Sequence, residues 1–288
     1  MSCTSVGLTG GRYCTTGNPK GVPTGIILAK EGQSFTADDF KDEDKINTAI
    51  KNEQIFPIVG EMFKEFVSNQ TEASYHEFAD ESRKTMRQGK YRFGVMLDLN
   101  ECQVNQMLKF RGFRGRIYFI YEDWIRGVST DSGTTVKGAR TALVNLEKGT
   151  QNLTDGTAGT HQLVIDLVSE KDLNKYDYSR EMSWDVGLLD GLTEVDIETT
   201  GTPTTTEIIV KVNANCYGDS LPITGLGDGH FIVSEGTITG VAESTSTPGE
   251  YTITGTSFAT GTVNLAAPAD QTTDLLIKSS GAASVSIS

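Results

Sequence analysis

Apolar and polar residues alternate along several short stretches of this chain, and such a pattern predicts half-buried β-strands. Between residues 91 and 99 the apolar positions include Phe93, Val95 and Leu97. Residues 116–121 instead form an almost continuous apolar run of strand length, which predicts the next strand. Further strands are predicted at residues 25–29, 135–147 and 161–169, and the segment 124–133 is interpreted as a turn.

Two segments have the periodicity of helices. The first helix is expected to begin at Thr36, because Thr36 and Asp39 have capping-box spacing. Asp38 and Asp39 are also favourable near the positive end of the helix dipole. Its apolar stripe consists of Phe40, Ile46, Ala49 and Ile50. A second helix is predicted from residue 101 to about residue 110, with Asn100 as its cap.

The last third of the chain contains only strand-like segments separated by turn residues. These segments are 207–212, 230–233, 237–241, 251–254, 261–266 and 275–278. Residues 201–288 also carry only two basic and eight acidic residues, whereas the rest of the chain is rich in charges of both signs. About seven short strands in roughly 100 residues are typical of an immunoglobulin-type β-sandwich, and we predict one in this region.

The predicted organisation has three parts. Residues 1–34, rich in Gly and Thr, form an N-terminal arm; residues 35–192 form an α+β, mainly β body; residues 193–288 form the Ig-like β-sandwich domain. The change in charge density across residues 170–200 marks the second boundary. Both an arm that orders against a neighbouring subunit and a disordered tail fit residues 1–34.

The chain carries a net charge of −13. Affinity for nucleic acid comes from Lys and Arg that neutralise phosphates, so tight binding of nucleic acid is not expected. The acidity could line a surface past which nucleic acid slides, or it could serve only solubility. No stretch approaches the ~18 apolar residues of a membrane helix, and the first residues lack the basic-then-apolar order of a secretory signal. We therefore expect a protein folded in a cytoplasm without membrane insertion.

The four cysteines are Cys3, Cys14, Cys102 and Cys216. None forms a CxxC pair, and disulfides are not expected in a reducing compartment. Cys3 and Cys14 bracket a glycine-rich segment, so the alternative is that these two pair after release into an oxidising medium. Cys102 and Cys216 are expected to be small buried hydrophobic residues.

The sequence has no recognisable catalytic or metal-binding motif. His76, His161 and His230 have no metal-ligand spacing, and no nucleophile elbow, phosphate-binding loop or dinucleotide fingerprint occurs. The glycine-rich segment 225–230 does not lead into a helix and is interpreted as a hairpin loop. We therefore predict no enzyme activity and no catalytic, cofactor-binding or metal-binding residues.

The remaining candidates each have a simpler interpretation. The acidic pair at residues 38–39 is expected to cap a helix, and residues 42–44 to form a solvated helix face or a channel lining. Trp124 could be a sugar-stacking platform, although closing the core at a strand end is the commoner role. The glycosylation triplets at Asn69 and Asn152 are interpreted as chance matches.

Three blocks of sequence resemble a known family. The first block is the first helix followed by IFPI at 55–58. The second is RFGVMLDLNEC at 92–102 with its helix, followed by RIYFIYED at 116–123, Gly127 and VKG at 136–138. The third is the β-rich tail with YTITG at 251–255. In this order the chain resembles virion structural proteins of tailed bacteriophages, particularly those of Bacteroidetes phages and prophages. Among them it is most similar to a major tail tube protein with a C-terminal Ig-like domain.

The resemblance implies a tail-tube-like β-barrel or sandwich with flanking helices, followed by an Ig-like domain outside the tube. Subunits would form homo-oligomeric rings, commonly hexameric in the family, that stack with other virion proteins and let DNA pass without tight binding. The arm at 1–34 or the basic loop at 82–89 would bridge to the next ring. The Ig-like domain would contact host-surface glycans weakly. The protein would be located in the virion after assembly in the bacterial host cytoplasm.

Two alternatives stay open at the level of sequence: a capsid auxiliary or decoration protein, and a carbohydrate-binding adhesin module. A tube subunit should polymerise alone, whereas a decoration protein should remain a monomer or trimer until it meets a capsid lattice. An adhesin should lose glycan binding on Trp124→Ala.

Overall fold

A computed structural model describes most of the chain, and its contacts divide the protein into two compact units. The described residues are 3–5, 12–14, 22–36, 38–68, 74–78, 82–87, 91–99, 101–122, 124–129, 135–147, 161–168, 177–214, 221–271 and 276–287. The body comprises Met1–Ala49, Gln54–Leu99 and Met107–Leu189. The C-terminal unit comprises Asp190–Ser288 together with Ile50–Glu53 and Asn100–Gln106. The mainly β fold predicted from the sequence is confirmed.

The elements up to residue 189 are short strands with two α-helices between them. The strands are β1 (Cys3–Ser5), β2 (Arg12–Cys14), β3 (Gly25–Ala29), β4 (Phe35–Thr36), β5 (Ile55–Ile58), β6 (Phe63–Ser68), β7 (Ser74–Glu77), β8 (Arg83–Arg87), β9 (Arg92–Leu97), β10 (Arg116–Tyr121), β11 (Trp124–Ser129), β12 (Thr135–Lys137), β13 (Ala139–Glu147), β14 (His161–Leu167) and β15 (Asp177–Glu181). The helices are α1 (Glu43–Lys51) and α2 (Glu101–Leu108), with 3-10 turns at Asp39–Lys41, Gly60–Met62 and Val186–Leu188.

Strand β10 is the centre of the body's largest sheet. It pairs with β3, which in turn pairs with β5, and it also pairs with β11 and β13. From β13 the sheet continues through β14 and β9 to β6, and from β11 it continues to β15 and, through β12, to β4. All of these pairs are antiparallel.

The sequence of β10 explains its central position, because both faces of the strand are apolar. On one face the ring of Tyr118 lies 6.0 Å from that of Phe35 and 5.7 Å from that of Phe40. On the other face Phe119 contacts aromatic rings from β6 and β9 at centroid distances of 5.9 and 5.5 Å. A strand covered on both sides needs a continuous apolar run rather than an alternation.

Two arginines fix the ends of strands in the body. Arg116 donates through Nε and Nη2 to the carbonyl oxygen and Oε1 of Glu31, at 3.0 and 2.8 Å, and through Nη1 to the carbonyl of Gly138. Arg92 in β9 makes a bidentate ion pair with Asp166, which lies opposite it in β14. Because Asp166 is only 9% exposed, this pair satisfies a carboxylate that has lost most of its water.

The C-terminal unit consists of strands in two sheets. The strands are β16 (Thr193–Thr200), β17 (Glu207–Ala214), β18 (Leu221–Pro222), β19 (Phe231–Val233), β20 (Thr237–Glu243), β21 (Glu250–Thr256), β22 (Gly261–Leu265), β23 (Ile277–Ser279) and β24 (Ala283–Val285). One sheet has the order β20-β21-β17-β16-β23, with β18 beside β17, and the other has the order β19-β22-β24. Their inner faces share one apolar core, which includes Val210, Tyr251 and Ile253 from the first sheet and Phe231 and Val263 from the second.

Several expectations about local structure are wrong. The helix expected from Thr36 is divided into a 3-10 turn and α1, which begins only at Glu43. Residues 124–129 are strand β11 and not a turn, and the predicted loop at 82–89 contains strand β8, which pairs with β7. In each case the pairing partner, which periodicity does not reveal, decides the structure.

The limits of the predicted parts also differ from the structure. Residues 25–29, assigned to the arm over 1–34, form β3, a fully buried strand with a neighbour on each side. Its apolar side chains belong to the core of the body, so an arm can include only earlier residues. The body and the C-terminal unit divide between Leu189 and Asp190, close to the predicted boundary at residue 193.

Candidate functional site

The body carries an open groove of about 800 Å³ that brings together residues from distant parts of the sequence. It is lined by Val22, Pro23, Thr24, Val59, Gly60, Phe63, Lys64, Glu65, Phe66, Ile120, Glu122, Asp185 and Gly187. We call it the acidic groove. Strand β6 contributes both apolar residues (Phe63 and Phe66) and charged ones (Lys64 and Glu65), and the end of β10 contributes Ile120.

Hydrogen bonds donated by backbone N–H groups hold the walls of the acidic groove in place. The N–H of Thr24 donates to the carbonyl of Ile120 at 2.8 Å, and Thr24 Oγ1 accepts from the N–H of Glu122 at 3.1 Å. On the opposite side, Asp185 Oδ1 accepts from the N–H of Gly187 at 2.8 Å and so caps a 3-10 turn. The groove is therefore built on fixed backbone rather than on side chains alone.

The charge of the acidic groove is negative. Glu65, Glu122 and Asp185 contribute three carboxylates, whereas Lys64 is the only lysine or arginine among the described residues that line it. Lys64 lies 3.7 Å from Asp98, and both side chains are about half exposed, so that pair is weak. The groove should therefore attract a positively charged or hydrogen-bond-donating partner.

Two large apolar side chains stand exposed beside the acidic groove. Val22, which lines it, is 67% exposed, and Leu188, which follows the lining residue Gly187, is 77% exposed. Exposed apolar residues rimmed by polar groups are typical of protein interaction sites. These two side chains make the groove a better candidate for a protein contact than for a small ligand.

Strand β6, which forms one wall of the acidic groove, is an edge strand. Within the described ranges it pairs only with β9, and the ladder between them has an irregularity between Phe63 and Glu65. An edge strand presents backbone N–H and C=O groups that can pair with another chain. The groove thus offers main-chain, apolar and acidic contacts within one surface.

The acidic residues that the sequence singled out near α1 have structural roles. Asp39 accepts from the N–H of Thr36 at 2.7 Å and receives a salt bridge from Lys45 at 2.6 Å, while Thr36 Oγ1 accepts from the N–H of Asp39. Burial of Asp39 opposes its ionisation, but the hydrogen bonds from Lys45 and Thr36 outweigh this effect and hold its pKa below 3.8. The reciprocal hydrogen bonds expected between Thr36 and Asp39 are present, but they precede a 3-10 turn and not the predicted helix. Residues 43 and 44 are exposed on α1, as a solvated helix face requires.

The three histidines lie on different elements: His76 in β7, His161 in β14 and His230 in a 3-10 turn. Among the residues that the structure describes, no group of three or more His, Cys, Asp or Glu side chains is arranged to hold a metal ion. His230 is buried, and its Nδ1 accepts from the N–H of Gly227 at 3.0 Å, so this ring organises a turn.

The glycine-rich segment 225–230 is not a hairpin loop. It connects β18, in the larger sheet of the C-terminal unit, to β19 in the smaller one. Asp228 Oδ1 accepts from the N–H of Val241 at 2.6 Å, and Glu243 Oε2 accepts from the N–H of Gly225 at 2.9 Å. The segment is therefore a connection between two sheets that is held in place by hydrogen bonds to β20.

Trp124 is half-buried at the start of β11, where Tyr121 and Glu181 are its neighbours on the adjacent strands. This position suits a residue that closes a strand end, and the sugar-stacking hypothesis stays untested. The triplets at Asn69 and Asn152, the cap at Asn100 and residue Cys216 lie outside the described residues.

Sequence reasoning missed the acidic groove altogether. Glu65, Glu122 and Asp185 are separated by more than fifty residues each and follow no motif. Only the pairing of β3 with β10 and of β6 with β9 brings their segments together. Val22 and Leu188 each lie beside a glycine, but this local pattern is too weak to define a site.

No protein-family model, curated protein or solved structure matches this chain. Within the described part of the chain, no helix is long and apolar enough to cross a membrane.

Proposed function

We propose that this protein is a virion structural protein, a tail tube subunit that assembles through its body into homo-oligomeric rings and stacks. The observation that carries the proposal is the acidic groove beside the edge strand β6, with Val22 and Leu188 exposed next to it. Assembly would cover these apolar side chains and pair the edge of β6 that has no partner strand within the described ranges, which removes two liabilities of an isolated subunit.

The charge of the chain supports a passage role for the assembled rings. A net charge of −13 in every subunit gives a ring a strongly negative surface. Like charge opposes adsorption of DNA, so DNA could move through the lumen without tight binding. The same argument makes a nucleic-acid-binding enzyme a poor description of the protein.

The C-terminal unit is proposed to be an Ig-like domain on the outside of the tube. An immunoglobulin-type sandwich places strands A, B, E and D in one sheet and strands C, F and G in the other. If β16 is strand A, then β17, β21 and β20 take the positions of B, E and D, and β19, β22 and β24 those of C, F and G. The short strands β18 and β23 are then additions to this pattern.

The proposal is tested by placing a charge at the exposed apolar rim of the acidic groove. Leu188→Asp should lower assembly at least tenfold, measured as the concentration of full-length protein at which rings appear in sedimentation velocity and negative-stain images. Because Leu188 is 77% exposed, the substitution should leave the fold of the monomer intact, and circular dichroism checks this.

The matched control is Leu221→Asp, a change of the same kind in the C-terminal unit, where Leu221 is 56% exposed. This control should assemble like the wild type. Equal loss of assembly in both variants would contradict a role for the groove. A wild-type protein that stays monomeric or trimeric at high concentration would favour the capsid decoration function instead.

A further inference from the structure

We propose that Cys3 and Cys14 form an intrachain disulfide that staples the first hairpin of the chain when the protein meets an oxidising medium. The inference rests on the pairing of β1 with β2 and does not depend on the proposed tube function. Sequence spacing alone left this pairing as one of two alternatives. The backbone register of the two strands now favours the pairing.

The register of β1 and β2 places the two cysteines opposite each other. Strands β1 and β2 pair antiparallel with Cys3 directly opposite Cys14, Thr4 opposite Tyr13 and Ser5 opposite Arg12. Directly opposed residues in an antiparallel ladder have Cα atoms about 4.5–5.5 Å apart and project to the same face of the sheet. A disulfide requires Cα atoms about 4.4–6.8 Å apart, so opposed positions suit it without backbone movement. A shift of one residue in the register would destroy this match.

The second step is the isolation of the hairpin. Among the described residues, β1 and β2 form a two-stranded sheet of their own, and each strand is only three residues long. An isolated two-stranded hairpin is marginally stable in water, so this one lacks the support that neighbouring strands give elsewhere in the body. A covalent bond across the ladder would supply that support by removing conformations of the open chain.

The third step is the chemical setting of the two thiols. Residues 1–30 contain Arg12, Lys20 and Lys30 and no acidic residue, in a chain whose net charge is −13. Thiolates are the reactive form in disulfide exchange, and basic rather than acidic neighbours favour them. The segment of the two cysteines therefore has a local charge that favours the reactive thiolates.

Oxidation of the two thiols by glutathione disulfide balances in two exchange steps. One cysteine thiolate attacks a sulfur of glutathione disulfide, forming a mixed disulfide and releasing one glutathione thiolate. The second cysteine thiolate then attacks the protein sulfur of the mixed disulfide, forming the Cys3–Cys14 bond and releasing the second glutathione. The two protein thiols lose two protons and two electrons, and glutathione disulfide gains them to give two glutathione thiols.

The test uses the full-length protein, equilibrated with mixtures of reduced and oxidised glutathione, alkylated to trap free thiols and digested with trypsin without reduction. Cleavage after Arg12 and Lys20 places Cys3 and Cys14 on separate peptides, residues 1–12 and 13–20. We expect these two peptides to be joined in the oxidising mixtures and separate in the reducing ones. Cys102 and Cys216 should be alkylated throughout.

Mixing light and isotope-labelled protein before oxidation distinguishes an intrachain bond from an interchain one. Linked peptides should contain two light or two heavy halves, and mixed pairs would overturn the proposal. Failure of the two peptides to join in the most oxidising mixture, with Cys3 and Cys14 fully alkylated, would overturn it as well.

Hydrogen exchange measures whether the disulfide stabilises the hairpin of β1 and β2. Hydrogen exchange of the peptide covering residues 4–13 should be slower in oxidised wild type than in oxidised Cys3→Ser, by at least tenfold at the most protected amides. The matched control Cys102→Ser should behave like the wild type. Equal exchange in oxidised wild type and Cys3→Ser would contradict the paired register on which the inference stands.

Discussion

The body and the C-terminal unit both have a packed β core, but they differ in the polar contacts around it. In the body, Arg92 pairs with the buried Asp166 across two strands, and the largely buried Arg116 pairs with Glu31 in the turn after β3. In the C-terminal unit, buried tyrosine and glutamine side chains instead hydrogen-bond to backbone groups. Tyr251, for example, donates to the carbonyl of Ile223 at 2.7 Å and accepts from the N–H of Leu226.

Other contacts in the C-terminal unit follow the same pattern. Gln271 is 5% exposed, and its Nε2 donates to the carbonyls of Ala266 and Ile277, both at 3.0 Å. The ion pair of Lys278 with Glu53 in this unit joins side chains that are 42% and 35% exposed, so it contributes little. The change in charge density along the sequence is thus a change in how buried polar groups are satisfied.

The difference has a functional meaning under the proposed function. The body has charges of both signs, and its exposed apolar residues lie beside a strand edge that is unpaired within the described part of the chain. It is therefore equipped for specific contacts with copies of itself. The C-terminal unit, with few charges and neutral hydrogen bonds, is suited to stability without strong electrostatic attraction to neighbours. Four substitutions test this comparison, in order of decreasing effect.

The largest effect should come from the aromatic centre of the body. Phe119→Ala should lower the free energy of unfolding of the body by about 3–5 kcal/mol, because it leaves a cavity beside two other aromatic rings. Hydrogen exchange of the amides in β9 and β10 measures this loss. The control Phe78→Ala, at a residue that is 46% exposed, should change it little. Equal loss of protection in β17 and β21 would mean that the two units do not have separate cores.

The corresponding test in the C-terminal unit is Tyr251→Phe. It leaves the carbonyl of Ile223 and the N–H of Leu226 without their shared partner, so we expect a loss of about 1–3 kcal/mol in unfolding free energy. Urea denaturation followed by hydrogen exchange at β17 and β21 locates the effect. Tyr91→Phe, at a half-buried tyrosine in the body, serves as the control.

The same tyrosine gives the C-terminal unit a dependence on alkaline pH. Burial raises the pKa of Tyr251 from 10.0 to about 12. The stability that the neutral phenol contributes is therefore complete below pH 10 and is lost as the pH rises through 12. Phenolate absorbance and near-ultraviolet circular dichroism should change together in this range, and Tyr251→Phe should lack that coupled step.

A smaller effect is expected from the ion pair between β9 and β14. Asp166→Asn removes the charge but keeps the size, and it should destabilise the body by about 1–2 kcal/mol. The loss is limited because the Arg92 side chain is 43% exposed and can regain water. Chemical denaturation of wild type and variant measures the difference, and an effect in the C-terminal unit would contradict the comparison.

The smallest effect should come from the turn before α1. Asp39→Ala should cost about 0.5–1 kcal/mol, because it removes the acceptor for Thr36 and Lys45. The pKa of Asp39 lies below 3.8, so its contribution is present above that pH and is lost as the pH falls through the folded-state pKa. Denaturation curves of wild type and variant should therefore converge in strong acid.

Sequence reasoning was successful where one segment determines its own structure. The bounds of β10 follow from the apolar run that Arg116 precedes, and residues 101–108 form α2 within the predicted helix. It failed for β11, where Gly127 interrupts the apolar pattern. A Cβ at Gly127 would lie 2.8 Å from the carbonyl oxygen of Lys137. Glycine is therefore required at this position by a neighbouring segment, which the local sequence pattern does not reveal.

Other failures have the same physical origin. In strand β16 only Val195 and Ile197 are buried apolar residues, and the positions around them are acidic residues and threonines. With so few apolar positions, the alternation that predicts a strand is not visible in the sequence. The acidic groove depends on strand order, which no local pattern contains. Local patterns thus predict many elements, whereas pairing partners and surfaces between them require the fold.

The most direct test of the central claim is negative-stain electron microscopy of the purified full-length protein over a range of concentrations. We expect rings with a central channel that stack into tubes as the concentration rises. Leu188→Asp should give fewer rings and fewer tubes at each concentration. A wild-type protein that remains monomeric at every concentration, with its fold intact by circular dichroism, would contradict it.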